Sequence, residues 1–174
     1  MTARIERAVA ETLRPRAPSA RWVDPGSLHL TLAFLGETAE PAALGITAAL
    51  TKVASAHARF CLHVRGGGSF GPKRSPRILW ASVGGELDAL SALHRSVSTS
   101  LEPLGYRPDE RPFSPHLTLA RARGLRGDAA LAPLVAHLED DFGETTVTSL
   151  ILYESILARE GARYTALATM PLAS

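Results

Sequence analysis

Apolar residues near the start of the chain recur as Ile5, Val9 and Leu13, the spacing of one helical face, and Pro15 with Pro18 ends that run. From Ser27 to Leu35 the period changes to two. Leu28, Leu30, Leu32 and Phe34 alternate with His29, Thr31, Ala33 and Leu35 before Gly36, which predicts a strand buried on at least one side. Helical spacing returns from about Pro41 to Val53, with Leu44, Thr47, Leu50 and Val53 as its inner stripe. Strands are then predicted over Arg59 to Val64 and Arg77 to Val83. They flank a mobile loop containing Gly66, Gly67, Gly68, Gly71, Pro72 and Pro76, too long for a tight hairpin. A third helix, Glu86 to about Leu101, carries Leu87, Leu90, Leu93, Val97 and Leu101.

The remaining pattern predicts a strand over Pro115 to Arg121 and a helix over Asp128 to Glu139 with Leu131, Leu134, Val135 and Leu138 inward. Two strands follow, roughly Thr145 to Tyr153 and Arg163 to Met170. The order helix, strand, helix, strand, strand thus occurs twice, and the HLTL runs at His29 and His116 stand 87 residues apart, half the chain length. This predicts an internal repeat of about residues 4–84 and 86–170 within a single domain spanning 1–174. The expected fold is α+β: two similar lobes related by a pseudo-twofold axis, with antiparallel-rich sheets lining a central cleft and helices outside.

At 174 residues with 45% apolar content, the chain can build its own core. Its formal charge of +2 does not mark a bulk nucleic-acid binder, so phosphate affinity must be local. The single cysteine, Cys61, has no internal partner for a disulfide, and no apolar run approaches the ~20 residues of a membrane span. Met1 to Arg16 lacks the continuous apolar region of an export signal, which makes the cytoplasm the expected compartment.

His29 and Thr31 sit two apart, so in a strand both emerge from one face with Cα atoms roughly 6.6 Å apart; His116 and Thr118 repeat the arrangement. One histidine in an apolar strand is ordinarily a hydrogen-bonded core residue. Core packing, however, does not call for a polar His and Thr at the same two positions twice. Phosphodiester hydrolysis needs a base for water, an acid for the departing alkoxide and donors for the phosphoryl oxygens, and two imidazoles with two hydroxyls supply all of these near neutral pH. A metal site is a weaker account, because each run offers Thr where a metal would want a carboxylate or a third imidazole. His57, His63, His94 and His137 do not repeat at matched positions, and Cys61 with His63 is too sparse a ligand set. Arg121, Lys73, Arg74 and Arg77 are candidate backbone contacts set against ordinary solvated charges, and Phe70 is a candidate base-stacking ring or lid anchor. Trp22 and Trp80 read as packing.

The runs RWVDPGSLHLTLAFLG (21–36), FGPKRSPRILW (70–80), RPFSPHLTLAR (111–121), SLILYES (149–155) and ARYTAL (162–167) resemble the bacterial and archaeal RNA 2',3'-cyclic phosphodiesterases, or 2'-5' RNA ligase-like proteins, of the two-histidine phosphoesterase superfamily. The resemblance spans roughly Trp22 to Leu172. It implies a bilobal α+β fold and metal-independent hydrolysis of RNA 2',3'-cyclic phosphate ends to 2'-phosphomonoesters, with reversible 2'-5' joining as a further family activity. By the same resemblance His29 is the general acid for the 3'-oxygen, His116 the general base for water, and Thr31 and Thr118 hold the phosphate. Near-symmetry leaves the acid and base roles exchangeable on sequence alone. No cofactor, membrane or obligate protein partner is implied; the partner is an RNA bearing a 2',3'-cyclic phosphate end. Family members usually open with a short apolar strand, which here would precede Arg4, and lack of it would leave an open edge or exposed core. Two other readings compete: a phosphodiesterase for small cyclic nucleotides or ADP-ribose cyclic phosphate, and an RNA-binding module without turnover. The basic, Gly-rich segment from Gly66 to Arg77 favours a longer polyanion over the first, and two facing titratable groups argue against the second.

Overall fold

The computed structural model describes residues 1–107, 111–158 and 161–174. Helix α1 (Thr2–Ala8) widens into a π-helical stretch, Val9–Leu13, and tightens to a 3₁₀ turn, Arg14–Arg16, where Pro15 halts it. Ile5, Val9 and Leu13 are all buried, as their spacing predicts. The elements that follow are β1 (Arg21–Trp22), α2 (Ala42–Ser55), β2 (Phe60–Phe70), β3 (Ile78–Gly85), α3 (Leu87–Leu101), β4 (His116–Arg121), β5 (Asp141–Val147), β6 (Ser149–Ala158) and β7 (Gly161–Pro171). An antiparallel sheet in the order β1-β4-β3-β2-β5 and a separate β6–β7 hairpin, flanked by helices, make an α+β architecture.

Two cores cover one face of the large sheet. The first joins α1 and its extension to Val64, Leu79, Ala81, Leu117, Leu119 and the 3₁₀ segment Ala129–His137. The second joins α2, α3 and the hairpin around Phe60 and Leu62. Each core draws on both halves of the sequence, and Leu30 and Val83 touch both.

Several elements differ from the pattern. The run from Ser27 to Leu35 forms no regular strand: it has a 3₁₀ turn, Pro25–Ser27, and one antiparallel bridge, Leu30 to Leu117. Leu28 packs against the first core, Leu32 against the second and Leu30 against both, while the alternation ends at Phe34, which is 80% exposed, and Leu35 packs against the second core instead. In α2 the buried stripe is Ile46, Leu50, Val53 and Ala54; Leu44 lies outside it, exposed. Gly66, Gly67 and Gly68 belong to β2, where a bulge between Val64 and Gly67 absorbs them, so the loop shortens to Gly71–Arg77. The segment expected as a helix over Asp128 to Glu139 is 3₁₀, since Pro133 within it cannot donate the helical hydrogen bond; Asp128 caps it by accepting from Ala130 N at 3.0 Å. Thr145 to Tyr153, predicted as one strand, crosses between the two sheets at Thr148. The alternation continues through that crossing and so does not mark it.

Candidate active site

The bridge between Leu30 and Leu117 sets the site. In antiparallel register its flanking positions place Thr31 opposite His116 and His29 opposite Thr118. Leu30 and Leu117 turn into the cores, so the four polar side chains share the other face. The two histidines are then diagonal neighbours, a relation that puts Cα atoms roughly 7–8 Å apart. Each imidazole thus has the other motif's threonine across from it.

The surroundings of the two rings match. Nδ1 of His29 lies 2.8 Å from the Ser27 carbonyl oxygen, and Nδ1 of His116 lies 2.7 Å from that of Ser114. A carbonyl only accepts, so Nδ1 carries the proton in both, and Nε2 is the nitrogen left for chemistry. Aromatic rings hold each imidazole in place. His29 meets Tyr164 edge-on at 4.6 Å and Tyr153 at 6.0 Å, both from the β6–β7 hairpin. His116 meets Phe70 edge-on at 4.9 Å and Trp80 at 6.1 Å, both from the large sheet. The site therefore lies where the two sheets approach. Among the described residues, neither threonine hydroxyl has a protein hydrogen-bond partner, which leaves both able to donate to an anion.

Ladder pairing continues this face across the sheet in rows: His116 with Ser82, Thr118 with Trp80 and Gly68, Arg121 with Ile78 and Phe70. Simple alternation from Thr118 would turn Arg121 into the core. A bulge prevents this: Leu119 and Ala120, at 1% and 0% exposure, both face Leu79, and Arg121 returns to the face that carries His116 and Thr118. Trp80, expected as packing, is instead a member of the site, its indole lying over Gly68. A Cβ on Gly68 would stand 2.5 Å from Trp80 Cζ2. Among the described residues the buried indole Nε1–H has no hydrogen-bond partner, so the ring is held by shape rather than by a bond. Gly68→Ala is expected to lower stability by ~1–3 kcal/mol, the usual cost of overpacking, and to lower kcat/KM through the displaced Trp80 and Phe70 rings. Thermal unfolding with steady-state kinetics checks it. A stability loss with kcat/KM intact would return Trp80 to a packing role.

Of the other candidates, Phe70 is on β2 rather than in a loop, while Lys73 and Arg74 sit exposed in the turn beyond it. His63 pairs with Asp141 at 3.0 Å. The Gly143 N–H, then His63, hold the Asp141 carboxyl below its usual range. His57 bonds Ser96 at 2.9 Å. His94 stacks on Phe113 at 4.0 Å, beside the Ser114 carbonyl that orients His116. Burial, then the Arg95 charge, lowers its pKa and favours the neutral ring. Among the described residues no three of His, Cys, Asp or Glu come together as a metal site. Likewise, no helix there is long and apolar enough to cross a membrane. Sequence reasoning missed Tyr153, Tyr164, Trp80 and the Ser27 and Ser114 carbonyls. The matching Ser-x-His spacing in both runs was the one signal that pointed to the carbonyls.

Residues 3–157 match the 2'-5' RNA ligase superfamily. An RNA 2',3'-cyclic phosphodiesterase of Aeropyrum pernix is 35% identical over 173 residues, which cover 99% of this chain and 95% of that protein. The crystal structure of TT0787 of Thermus thermophilus superposes with a TM-score of 0.80 at 29% identity, covering 98% of this chain and 91% of that one. E. coli LigT complexed with 3'-AMP gives 0.74 at 25% identity, covering 100% and 94%. With two matched histidine–threonine pairs on one face of an antiparallel sheet, and with these likenesses over nearly its whole length, the chain belongs to the 2'-5' RNA ligase superfamily and, within it, to the RNA 2',3'-cyclic phosphodiesterases.

Proposed function

We propose that the chain hydrolyses RNA 2',3'-cyclic phosphate ends to 2'-phosphomonoesters, with His116 as general base and His29 as general acid. The observation that carries this is the matched pair of imidazoles, each with Nδ1–H tied to the carbonyl two residues earlier and Nε2 free to exchange a proton. His116 Nε2 takes a proton from water as the oxygen attacks phosphorus. The bond to the 3'-oxygen breaks, and protonated His29 delivers its Nε2 proton to that oxygen. Thr31 and Thr118 hydroxyls donate to the non-bridging oxygens and hold phosphorus between the rings. An RNA hydroxyl in place of water would form a 2'-5' linkage by the same steps, so end joining is proposed as a side reaction of this site. The matched surroundings of His29 and His116 also support the internal repeat of about 4–84 and 86–170. RNA is the only partner invoked, and the cytoplasm is the expected place of action.

Every proton and every phosphoryl contact in this scheme is assigned to a side chain, so turnover is expected to persist in excess chelator. An oligonucleotide with a 2',3'-cyclic phosphate end is the substrate to use, with the position of the product phosphate read out. Loss of activity that a divalent metal restores would overturn the metal-free scheme. A product with its phosphate on the 3'-oxygen would overturn the choice of leaving group.

A further inference from the structure

The matched carbonyl contacts on the two imidazoles are anchored by unequal means. The Ser27 carbonyl that holds His29 ends a 3₁₀ turn, in which Ser27 N donates to the Asp24 carbonyl at 2.8 Å and Leu28 N to that of Pro25 at 3.3 Å. Backbone hydrogen bonds thus fix it from both sides. The Ser114 carbonyl that holds His116 has no such frame. Among the described residues, neither Phe113 nor Ser114 makes a backbone–backbone hydrogen bond, and Ser114 is exposed in an irregular stretch. Pro115, which follows, has no N–H to offer one. Its position must come from a side chain. The Phe113 ring is the one that is anchored: it packs against the second core, and the His94 imidazole stacks on it with ring centres 4.0 Å apart and planes within 7° of parallel.

His94 is itself firmly placed. It belongs to α3, whose Leu90, Leu93, Val97 and Leu101 are buried in the second core. With Leu90 four residues before it and Val97 three after, it flanks that buried stripe, so a packed helix carries its ring. Burial, then the Arg95 charge, favours the neutral imidazole, and the contact is a stack of two flat rings. His57 and His63 spend a ring nitrogen on Ser96 and Asp141. His94 spends its face on Phe113. We propose that His94 is a positioning residue for His116: its stack on Phe113 holds the Ser114 carbonyl against the Nδ1–H of His116 and so keeps Nε2 aimed at the reacting water. The rate consequence rests on the catalytic reading given above. The chain of contacts from His94 through Phe113 and Ser114 reaches one imidazole only, and His29, held by its own turn, stands outside it.

The test removes the stack and reads both the rate and the ring it is meant to hold. His94→Ala is expected to lower kcat on an RNA 2',3'-cyclic phosphate by about tenfold or more with KM little changed, since a misplacement of about 1 Å can cost about a hundredfold. His94→Gln, polar but without a flat ring, is expected to behave like Ala. His94→Phe, which can stack and cannot titrate, is expected to restore the rate. In the His116→Ala background His94→Ala should cost nothing further, because the group it positions is gone. Imidazole nitrogen spectra of the free protein supply a readout that needs no turnover. Wild type should show the Nδ1–H tautomer at both rings, and His94→Ala should mix the tautomers at His116 while leaving His29 as it was. The proposal is overturned if His94→Ala keeps the wild-type kcat, if its loss persists undiminished without His116, or if the two rings change together, which would mean general loosening. If wild type turns over no cyclic phosphate, the catalytic reading fails, and the spectra still decide whether His94 orients His116.

Discussion

Replacing His29 or His116 by Ala is expected to lower turnover of an RNA 2',3'-cyclic phosphate by at least ~10², the scale of losing a general acid or base. The two losses are expected to part company when the leaving group changes. An activated 3'-ester departs without needing a proton, so His29→Ala recovers most of its rate on such a substrate. His116→Ala stays impaired, because water must still be deprotonated. The geometry makes this a demanding experiment. Both rings have Nδ1–H bound to a carbonyl at 2.7–2.8 Å and Nε2 available, so nothing in their first contacts separates acid from base. What differs is the wall behind each ring: Tyr153 and Tyr164 behind His29, Phe70 and Trp80 behind His116. With one imidazole neutral and the other charged in the productive state, the rate is expected to be bell-shaped in pH, and its limbs belong to the coupled pair rather than to either residue. Rescue of His116→Ala instead of His29→Ala would exchange the roles. Near-full rate in either variant on the cyclic phosphate would remove that histidine from catalysis.

The candidate site residues stood out in the sequence because they are short-range and doubled. His29 with Thr31 and His116 with Thr118 need only a period of two to share a face, and their repetition set them apart from ordinary core polar residues. The helices were legible for the same local reason, from Ile5, Val9 and Leu13 through Leu90, Leu93, Val97 and Leu101. What escaped depends on pairing between distant segments. Arg121 reaches the face of His116 and Thr118 through a bulge set by its register against Leu79 and Trp80, some forty residues away. Trp80 lies beside His116 because Gly68, on the next strand, leaves space for the indole. The alternation of Leu28, Leu30 and Leu32 recorded packing against one core or the other rather than a ladder, and a sequence pattern does not distinguish these. Nor could three glycines in a row announce a bulged strand rather than a loop.

Thr31→Val and Thr118→Val are each expected to lower kcat by about 10²–10³, the range for removing one donor to a developing oxyanion. The change is nearly one of chemistry alone. Valine keeps two γ-atoms on Cβ and suits an extended segment, so backbone and packing have little reason to move. Among the described residues neither hydroxyl has a protein hydrogen bond to lose, and stability is therefore expected to hold within about 0.5 kcal/mol. Cross-strand placement adds a further expectation. Thr118 stands opposite His29 and Thr31 opposite His116, so in the proposed scheme each hydroxyl would grip the phosphate beside the imidazole of the other motif. If both donate to one phosphoryl group, losing the first lets the phosphate shift and weakens the second contact. The double variant should then lose less than the product of the single losses. Kinetics on the cyclic phosphate, with thermal unfolding of the same preparations, decide the matter. A fall in rate matched by a fall in unfolding temperature would make the threonines structural, and full activity in both variants would leave the phosphate to be held by Arg121 and the imidazoles.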